Sequence, residues 1–197
     1  MQRLRDDIVA ERAAFAAWQP TVDGDRVICV DESGIIAGGR VAYGYALRGK
    51  RCEEHAPYRR GRRTNLVGWL GLGRGGVVAV DQRVDGAFFE RFVREYLAPK
   101  LKPGDIVVWD NHSIHRGSEI RRLIEAQGAR LHPQPRYSPE FNACEEMWSK
   151  VKHGVRRARA DTQATLESAL SVSVRGLRWE DSAGWLRHAG YRLSPDA

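Results

Sequence analysis

The stretch Asp105-Ile106-Val107-Val108-Trp109-Asp110 holds an uninterrupted apolar run between two carboxylates. Such a run is typical of a strand that is buried on both faces, in the middle of a sheet covered by helices. Ligand sites in sheets of this kind gather beyond the carboxyl ends of the strands. Asp110, which directly follows the run, is therefore a candidate functional residue.

The rest of the chain predicts one mixed sheet flanked by helices, which is an α/β fold class. Runs rich in Val, Ile and Tyr predict strands at 26–31, 41–47, 64–70, 76–81 and 129–132. Apolar side chains at helical intervals predict helices at 3–18, 86–97, 118–127, 141–157 and 162–176, followed by an amphipathic segment up to Tyr191. We expect a single domain with a helical lead-in over 1–25, a core over 26–160 and C-terminal helices over 161–197 packed on that core.

A second acid follows another apolar run. Asp31 comes directly after residues 27–30, at the end of the first predicted strand. Glu32 competes with it for a functional role, because neighbouring residues of a strand point to opposite faces. Taken alone, an acid at the end of a strand is more often simply solvated.

The third acid lies on the predicted helix 141–157. The apolar residues of this helix form one stripe, with Glu145 at its edge and Glu146 pointing away, so Glu145 is the candidate. Three carboxylates that converge from two strand ends and a helix suit Mg²⁺ or Mn²⁺ rather than zinc. Two such ions can stabilise both the attacking and the leaving oxygen when a phosphodiester bond is cut or joined.

The chain is basic, with a formal net charge of +7 and a pI of about 9.7, which favours a polyanionic partner such as DNA. Two clusters concentrate the positive charge: Arg48, Lys50 and Arg51 in the first, and Lys150, Lys152, Arg156 and Arg157 in the second. We predict that both contact DNA phosphates, and an ordinary solvated basic face is the alternative for each.

Several classes of protein are disfavoured by the composition. No apolar run approaches the roughly 20 residues that a membrane span needs, and the first residues lack the apolar core of a signal peptide. The few cysteines have neither zinc-ligand nor redox spacing, so we expect a cytoplasmic location. His112 and His115 could orient the end of the central strand or touch DNA, although structural histidines are more common.

Short motifs along the chain occur in a fixed order: Asp31-Glu32-Ser33-Gly34, Asp110-Asn111-His112, Tyr137-Ser138-Pro139, Asn142, Glu145 and Trp148-Ser149-Lys150. In this combination the chain resembles the catalytic domain of DDE transposases in the mariner-like bacterial insertion-sequence superfamily. The resemblance implies an RNase H-like fold with a mixed five-stranded sheet. It also implies that Asp31, Asp110 and Glu145 are a catalytic triad that binds two Mg²⁺ ions, for which Mn²⁺ can substitute. The family commonly has proline or an aliphatic residue where this chain has Arg136, Ala143 and Cys144.

The resemblance also implies a function, namely DNA cleavage and strand transfer at the ends of an insertion sequence. The expected partners are double-stranded DNA and a second copy of the chain. Full-length relatives carry N-terminal helix-turn-helix modules, and only about 25 residues precede the first predicted strand. The chain therefore resembles either the catalytic half of a transposase whose helix-turn-helix partner is encoded in an upstream reading frame, or a truncated remnant. A catalytically silent remnant with a DNA-binding or regulatory role and a general RNase H-like nuclease are the alternatives.

Overall fold

A computed structural model describes residues 4–57, 61–110 and 117–195. Its strands are β1 (Val27–Ile36), β2 (Arg63–Gly71), β3 (Arg74–Val80), β4 (Ile106–Trp109) and β5 (Arg130–Pro133). Its α-helices are α1 (Asp6–Trp18), α2 (Gly86–Phe92), α3 (Ser118–Glu125), α4 (Cys144–Arg157), α5 (Gln163–Arg175) and α6 (Trp179–His188). The roles predicted for His112 and His115 lie outside the described residues.

The strands form one mixed sheet in the order β3-β2-β1-β4-β5, which confirms the predicted α/β architecture. β1 lies at the centre, antiparallel to β2 and parallel to β4. β4 also pairs in parallel with β5. The carboxyl ends of β1, β4 and β5 therefore point to the same edge of the sheet.

Helices cover both faces of this sheet, and β1 divides its side chains between them. Val27 and Cys29 belong to a buried cluster that includes residues of α4, α5 and α6. Ile28 and Val30 belong to a second cluster with residues of α2 and α3. Because side chains alternate along a strand, Asp31 continues the series of Val27 and Cys29 and faces α4.

The strand predicted at 41–47 is wrong. β1 instead continues to Ile36, which pairs with Arg63 of β2, and residues 42–57 form an irregular segment that is almost entirely exposed. Strand propensity needs a partner strand to be satisfied, and β2 already occupies this side of β1. The extension of β1 also means that Asp31 lies inside a strand rather than at its end.

None of the helices in the described ranges is both long and apolar enough to cross a membrane.

Candidate active site

The register of β1 against β4 explains how two of the predicted acids meet. The last paired residues of these parallel strands are Cys29 and Val108. Two residues further along each strand, the chain reaches Asp31 and Asp110. Parallel strands advance in step, so the two acids emerge side by side at the edge where β4 ends.

The start of α4 is fastened directly to β1. Asn142 is buried, and its side-chain Nδ2 donates to the carbonyl oxygen of Val30 at 3.1 Å. Its Oδ1 accepts from the backbone N–H of Cys144, the first residue of α4, at 3.0 Å. The Cys144 thiol donates to the carbonyl oxygen of Cys29 at 3.3 Å. Glu145, the next residue, is thereby held beside Asp31.

Asp31, Asp110 and Glu145 line a single cleft of about 370 Å³. The remaining wall consists of the loop after β5 and the entry to α4: Gln134, Pro135, Arg136, Tyr137, Ser138, Pro139 and Asn142. The three acids that the sequence singled out therefore share one surface depression. The competing acids do not line it. Glu146, expected on a solvated face, is half-buried and pairs with His188 of α6.

The electrostatics of the cleft favour a cation. The pKa of Asp31 is raised to about 8, first by burial and then by the negative charges of Glu145 and Glu32, while a hydrogen bond from Trp148 acts in the opposite direction. Within the described ranges, no three His, Cys, Asp or Glu side chains lie close enough together to hold a metal ion as they stand. Carboxylates repel one another across the cleft, so ligation would require them to close around the ion. The all-oxygen donor set suits Mg²⁺ or Mn²⁺.

Positively charged residues of α4 and β2 border the acids and form a basic rim, which consists of Lys152, Arg156 and Arg63. Lys152, two turns after Glu145, is half-buried, and burial together with the charge of Arg156 lowers its pKa. The charges of Glu145 and Asp31 act on the same ammonium group in the opposite direction, which shows that it lies near them. Arg63 of β2 also adds to the positive charge around Lys152.

The other predicted DNA contacts are distributed more widely. Arg156 and Arg157 are exposed at the end of α4, and Arg48, Lys50 and Arg51 are exposed in the segment between β1 and β2. Lys150 differs from these residues, because its ammonium pairs with Asp181 of α6.

Helix α1 clamps the loop that leads into α4. The Arg12 guanidinium donates to the carbonyl oxygen of Tyr137 at 3.1 Å and to Oγ of Ser138 at 2.8 Å, and it pairs with Glu140. Arg136 reaches back to two acids of α1 at 3.0 Å each. Arg136, one of the departures from the family pattern, therefore connects the cleft wall to the lead-in helix.

Two residues near the acids were not identified from the sequence as parts of the site. Trp148 is buried, and it donates its indole N–H to Asp31. Gln134 lines the cleft, and its buried Oε1 has no hydrogen-bond partner among the described residues. Nothing in the local spacing signals either contact, because both depend on the folded sheet edge.

Comparisons with known proteins agree with this geometry. Residues 26–167 match the family model described as DDE superfamily endonuclease. No curated protein sequence matches the chain.

Several solved structures share the fold. The Mos1 transposase paired-end complex with left transposon end aligns with a TM-score of 0.73 at 16% identity, over 95% of this chain and 60% of that one. The Mos1 transposase catalytic domain with raltegravir and Mn aligns with a TM-score of 0.70 at 14% identity, over 95% and 91%. A second structure of the Mos1 catalytic domain with raltegravir contains Mg.

This chain thus spans about 60% of the Mos1 chain in the DNA complex but nearly all of the isolated catalytic domain. The low identity limits the structural likeness to the fold, which is that of an RNase H-like transposase catalytic domain. The family match covers most of the chain and includes the acids that line the cleft, so the chain belongs to the DDE superfamily of endonucleases.

Proposed function

We propose that this protein is the catalytic part of a DNA transposase, which cleaves DNA at the ends of an insertion sequence and joins those ends to target DNA. The observation that carries the proposal is the shared cleft, which Asp31, Asp110 and Glu145 line together in a chain of the DDE endonuclease family. The Mos1 neighbours include a strand transfer complex, which supports the same reaction here.

In this proposal the three carboxylates are the catalytic residues and the ligands of two divalent ions. Bound Mg²⁺ or Mn²⁺ would stabilise the attacking and leaving oxygens of the phosphodiester. The half-buried Lys152 would neutralise a phosphate of the scissile strand beside Glu145. Water cleaves the transposon end to leave a 3′-hydroxyl, and that hydroxyl attacks a phosphodiester of the target and displaces its 3′-oxygen.

Neighbouring acids provide matched controls for a test of these roles. We expect Asp31→Asn, Asp110→Asn and Glu145→Gln each to lower Mg²⁺- or Mn²⁺-dependent cleavage of a transposon-end duplex by about 10²- to 10³-fold or more, the loss expected when one preorganised group that stabilises charge is removed. Glu32→Gln and Glu146→Gln change the adjacent acid in the same way and should retain activity within a few-fold. The measurement is the initial cleavage rate on end-labelled DNA.

The outcomes of this assay separate the alternatives. Equal losses in the control variants would contradict the assignment of the three acids. Cleavage of any RNA·DNA hybrid with no preference for transposon ends would favour a general nuclease. A folded wild-type protein without metal-dependent cleavage, even when supplied with a helix-turn-helix partner, would favour the silent remnant.

Double-stranded DNA is the proposed partner, and the basic rim is its proposed contact surface. Phosphate contacts make affinity salt-dependent. We expect Lys152→Gln and Arg156→Gln each to weaken binding to DNA of any sequence and to reduce the slope of log affinity against log salt by about 1. The sequence also predicts a DNA contact for Lys150, but its ammonium pairs with Asp181, so we expect Lys150→Gln to change the slope less than the other two variants do. Fluorescence anisotropy over a salt series measures the DNA affinity of all three variants. An unchanged slope in Lys152→Gln would show that Lys152 does not belong to the DNA contact surface.

A homodimer is also part of the proposal. Tyr43, Tyr45 and Leu47 are 92%, 104% and 82% exposed in the irregular segment after β1. Large apolar side chains clustered on the surface commonly mark a contact with another protein. Before the segment begins, the backbone N–H of Gly38 donates to the carbonyl oxygen of Ala160 at 2.7 Å, which connects this part of the chain to the residues after α4. Recognition of the element's ends by a separate helix-turn-helix module stays a prediction.

A further inference from the structure

Trp148 joins the buried core of α4 to the acid cleft. Its side chain is 2% exposed, and its Nε1–H donates to Oδ2 of Asp31 at 2.9 Å. The indole N–H is only a donor, and a buried tryptophan of this kind usually has one acceptor. Here that acceptor is one of the three carboxylates of the proposed metal site.

The sheet leaves room for this indole at one specific position. Gly68 of β2 is the direct partner of Asp31 across the antiparallel pair. A Cβ at position 68 would lie 2.6 Å from Cη2 of Trp148 and 2.9 Å from Cε of Met147. Both distances are too short for any real contact, so the ring occupies space that only glycine provides. The hydrogen bond and the glycine gap fix the indole from two sides.

Filling the core does not require the N–H group. The other buried residues of the apolar stripe on α4 include Met147, Val151 and Val155, which fill space without donating a hydrogen bond. A phenylalanine would also supply a large apolar ring at position 148. The polar atom of Trp148 acts only on Asp31 among the contacts that the structure describes.

We propose that Trp148 is a positioning residue for metal binding. Its indole N–H holds Oδ2 of Asp31, which fixes the rotamer of the carboxylate before a cation arrives and leaves Oδ1 free of this constraint. Hydrogen-bond partners of this kind orient the ligands of metal sites. Removing one commonly weakens metal binding by about 10- to 100-fold. The inference rests on the proposed function, because it takes Asp31 as a metal ligand.

The test compares two Trp→Phe variants of the whole chain. We expect Trp148→Phe to bind Mn²⁺ about 10- to 100-fold more weakly than the wild type, measured by electron paramagnetic resonance of free Mn²⁺ in a titration. Trp69→Phe is the matched control, because Trp69 is also buried, at 7% exposure, but belongs to the cluster on the opposite face of the sheet. It should bind Mn²⁺ as the wild type does.

A second measurement reports the hydrogen bond itself and requires no change at position 148. In ¹H–¹⁵N NMR spectra assigned on the wild type, Asp31→Ala should shift the indole N–H signal of Trp148 strongly and leave that of Trp69 nearly unmoved. A merely space-filling ring would not report the loss of the carboxylate in this way. The signal also remains measurable if Trp148→Phe fails to fold.

The outcomes distinguish this inference from the proposed function. The positioning role alone would be overturned if Trp148→Phe and Trp69→Phe bound Mn²⁺ with equal affinity. It would also be overturned if the indole N–H signal of Trp148 did not shift in Asp31→Ala. If the folded wild type and Trp69→Phe both fail to bind Mn²⁺, the proposed metal site itself fails, and the positioning role fails with it.

Discussion

At the scale of single residues, the three acids of the cleft differ in their surroundings. Asp110 and Glu145 are exposed, whereas Asp31 is partly buried between β2 and α4 and has a pKa raised to about 8. The folded protein therefore retains a proton on Asp31 at pH values where the unfolded chain, with an ordinary aspartate pKa near 3.8, has lost it. A bound cation removes this conflict by stabilising the charged form.

This difference predicts the pH dependence of stability without metal. A group whose pKa is higher in the folded state contributes stability that is lost as the pH rises, here between about 4 and 8. We expect the melting temperature in EDTA to fall over this range in the wild type and to fall less in Asp31→Asn. Mg²⁺ should raise the melting temperature of the wild type most near pH 8. His132, whose pKa is lowered by burial and by Arg130, acts in the opposite direction, so the difference between the two proteins is the informative quantity.

Differential scanning calorimetry at several pH values provides this comparison. Parallel melting curves for the wild type and Asp31→Asn would contradict the raised pKa of Asp31.

The sequence could predict some of these residues and not others. Asp110 and Glu145 stand out because an uninterrupted apolar run and an apolar helical stripe define their positions locally. The choice between Asp31 and Glu32 needed one more fact, namely which face of β1 meets α4. The contact between Trp148 and Asp31 was beyond prediction, because it depends on Gly68, a residue 80 positions away from Trp148 that is adjacent only in the folded sheet.

At the scale of secondary-structure elements, α1 supports the loop that delivers Glu145. Arg12 holds Tyr137, whose backbone has a positive φ of 56°, a conformation that residues other than glycine rarely adopt. We expect Arg12→Ala to lower the free energy of unfolding by about 1–3 kcal/mol, since it removes hydrogen bonds from a charged donor. It should also slow cleavage by about 10-fold or more, since the proposed catalytic acids would lose their alignment.

Arg5→Ala is the control for this prediction. Arg5 is exposed at the N-cap of α1 and, among the described residues, pairs with Asp7, so its removal should change stability by less than about 0.5 kcal/mol. Urea unfolding measures stability, and the transposon-end assay measures cleavage. Equal effects of the two variants would mean that α1 does not support the loop through Arg12.

Most helices and strands were predictable, because the alternating pattern of a strand and the helical spacing of apolar residues can each be recognised within a short stretch of sequence. The exception is the segment at 41–47, where alternating Val, Tyr and Leu residues imitate a strand. A strand also needs an open partner edge, and the pairing of β1 with β2 up to Ile36 and Arg63 leaves none there. The predicted division into a lead-in, a core and C-terminal helices stays a prediction.

At the scale of the whole molecule, the exposed apolar side chains of the segment at 41–47 predict association between two copies of the chain. We expect Tyr43→Ser, Tyr45→Ser and Leu47→Ser together to weaken dimerisation by about 100-fold or more, because three large apolar side chains would no longer be buried between copies. Val172→Ser, an exposed apolar residue of α5 at 67% exposure, is the control and should leave the dimer intact. Sedimentation velocity over a range of protein concentrations measures both.

A wild-type protein that stays monomeric with and without DNA would refute the dimer. An equal loss in the Val172→Ser control would assign the contact to another surface.

The parallel pairing of β1 with β4 has a genetic consequence. An in-frame deletion of the Val30 codon would move every later residue of β1 back by one place, so each would face the opposite side of the sheet. Asp31 would then turn towards α2 and α3, and Glu32, one methylene longer, would arrive on the side of α4. One missing codon would thus exchange the two acids and would also place the Asp31 carboxylate among the apolar side chains that surround Val30.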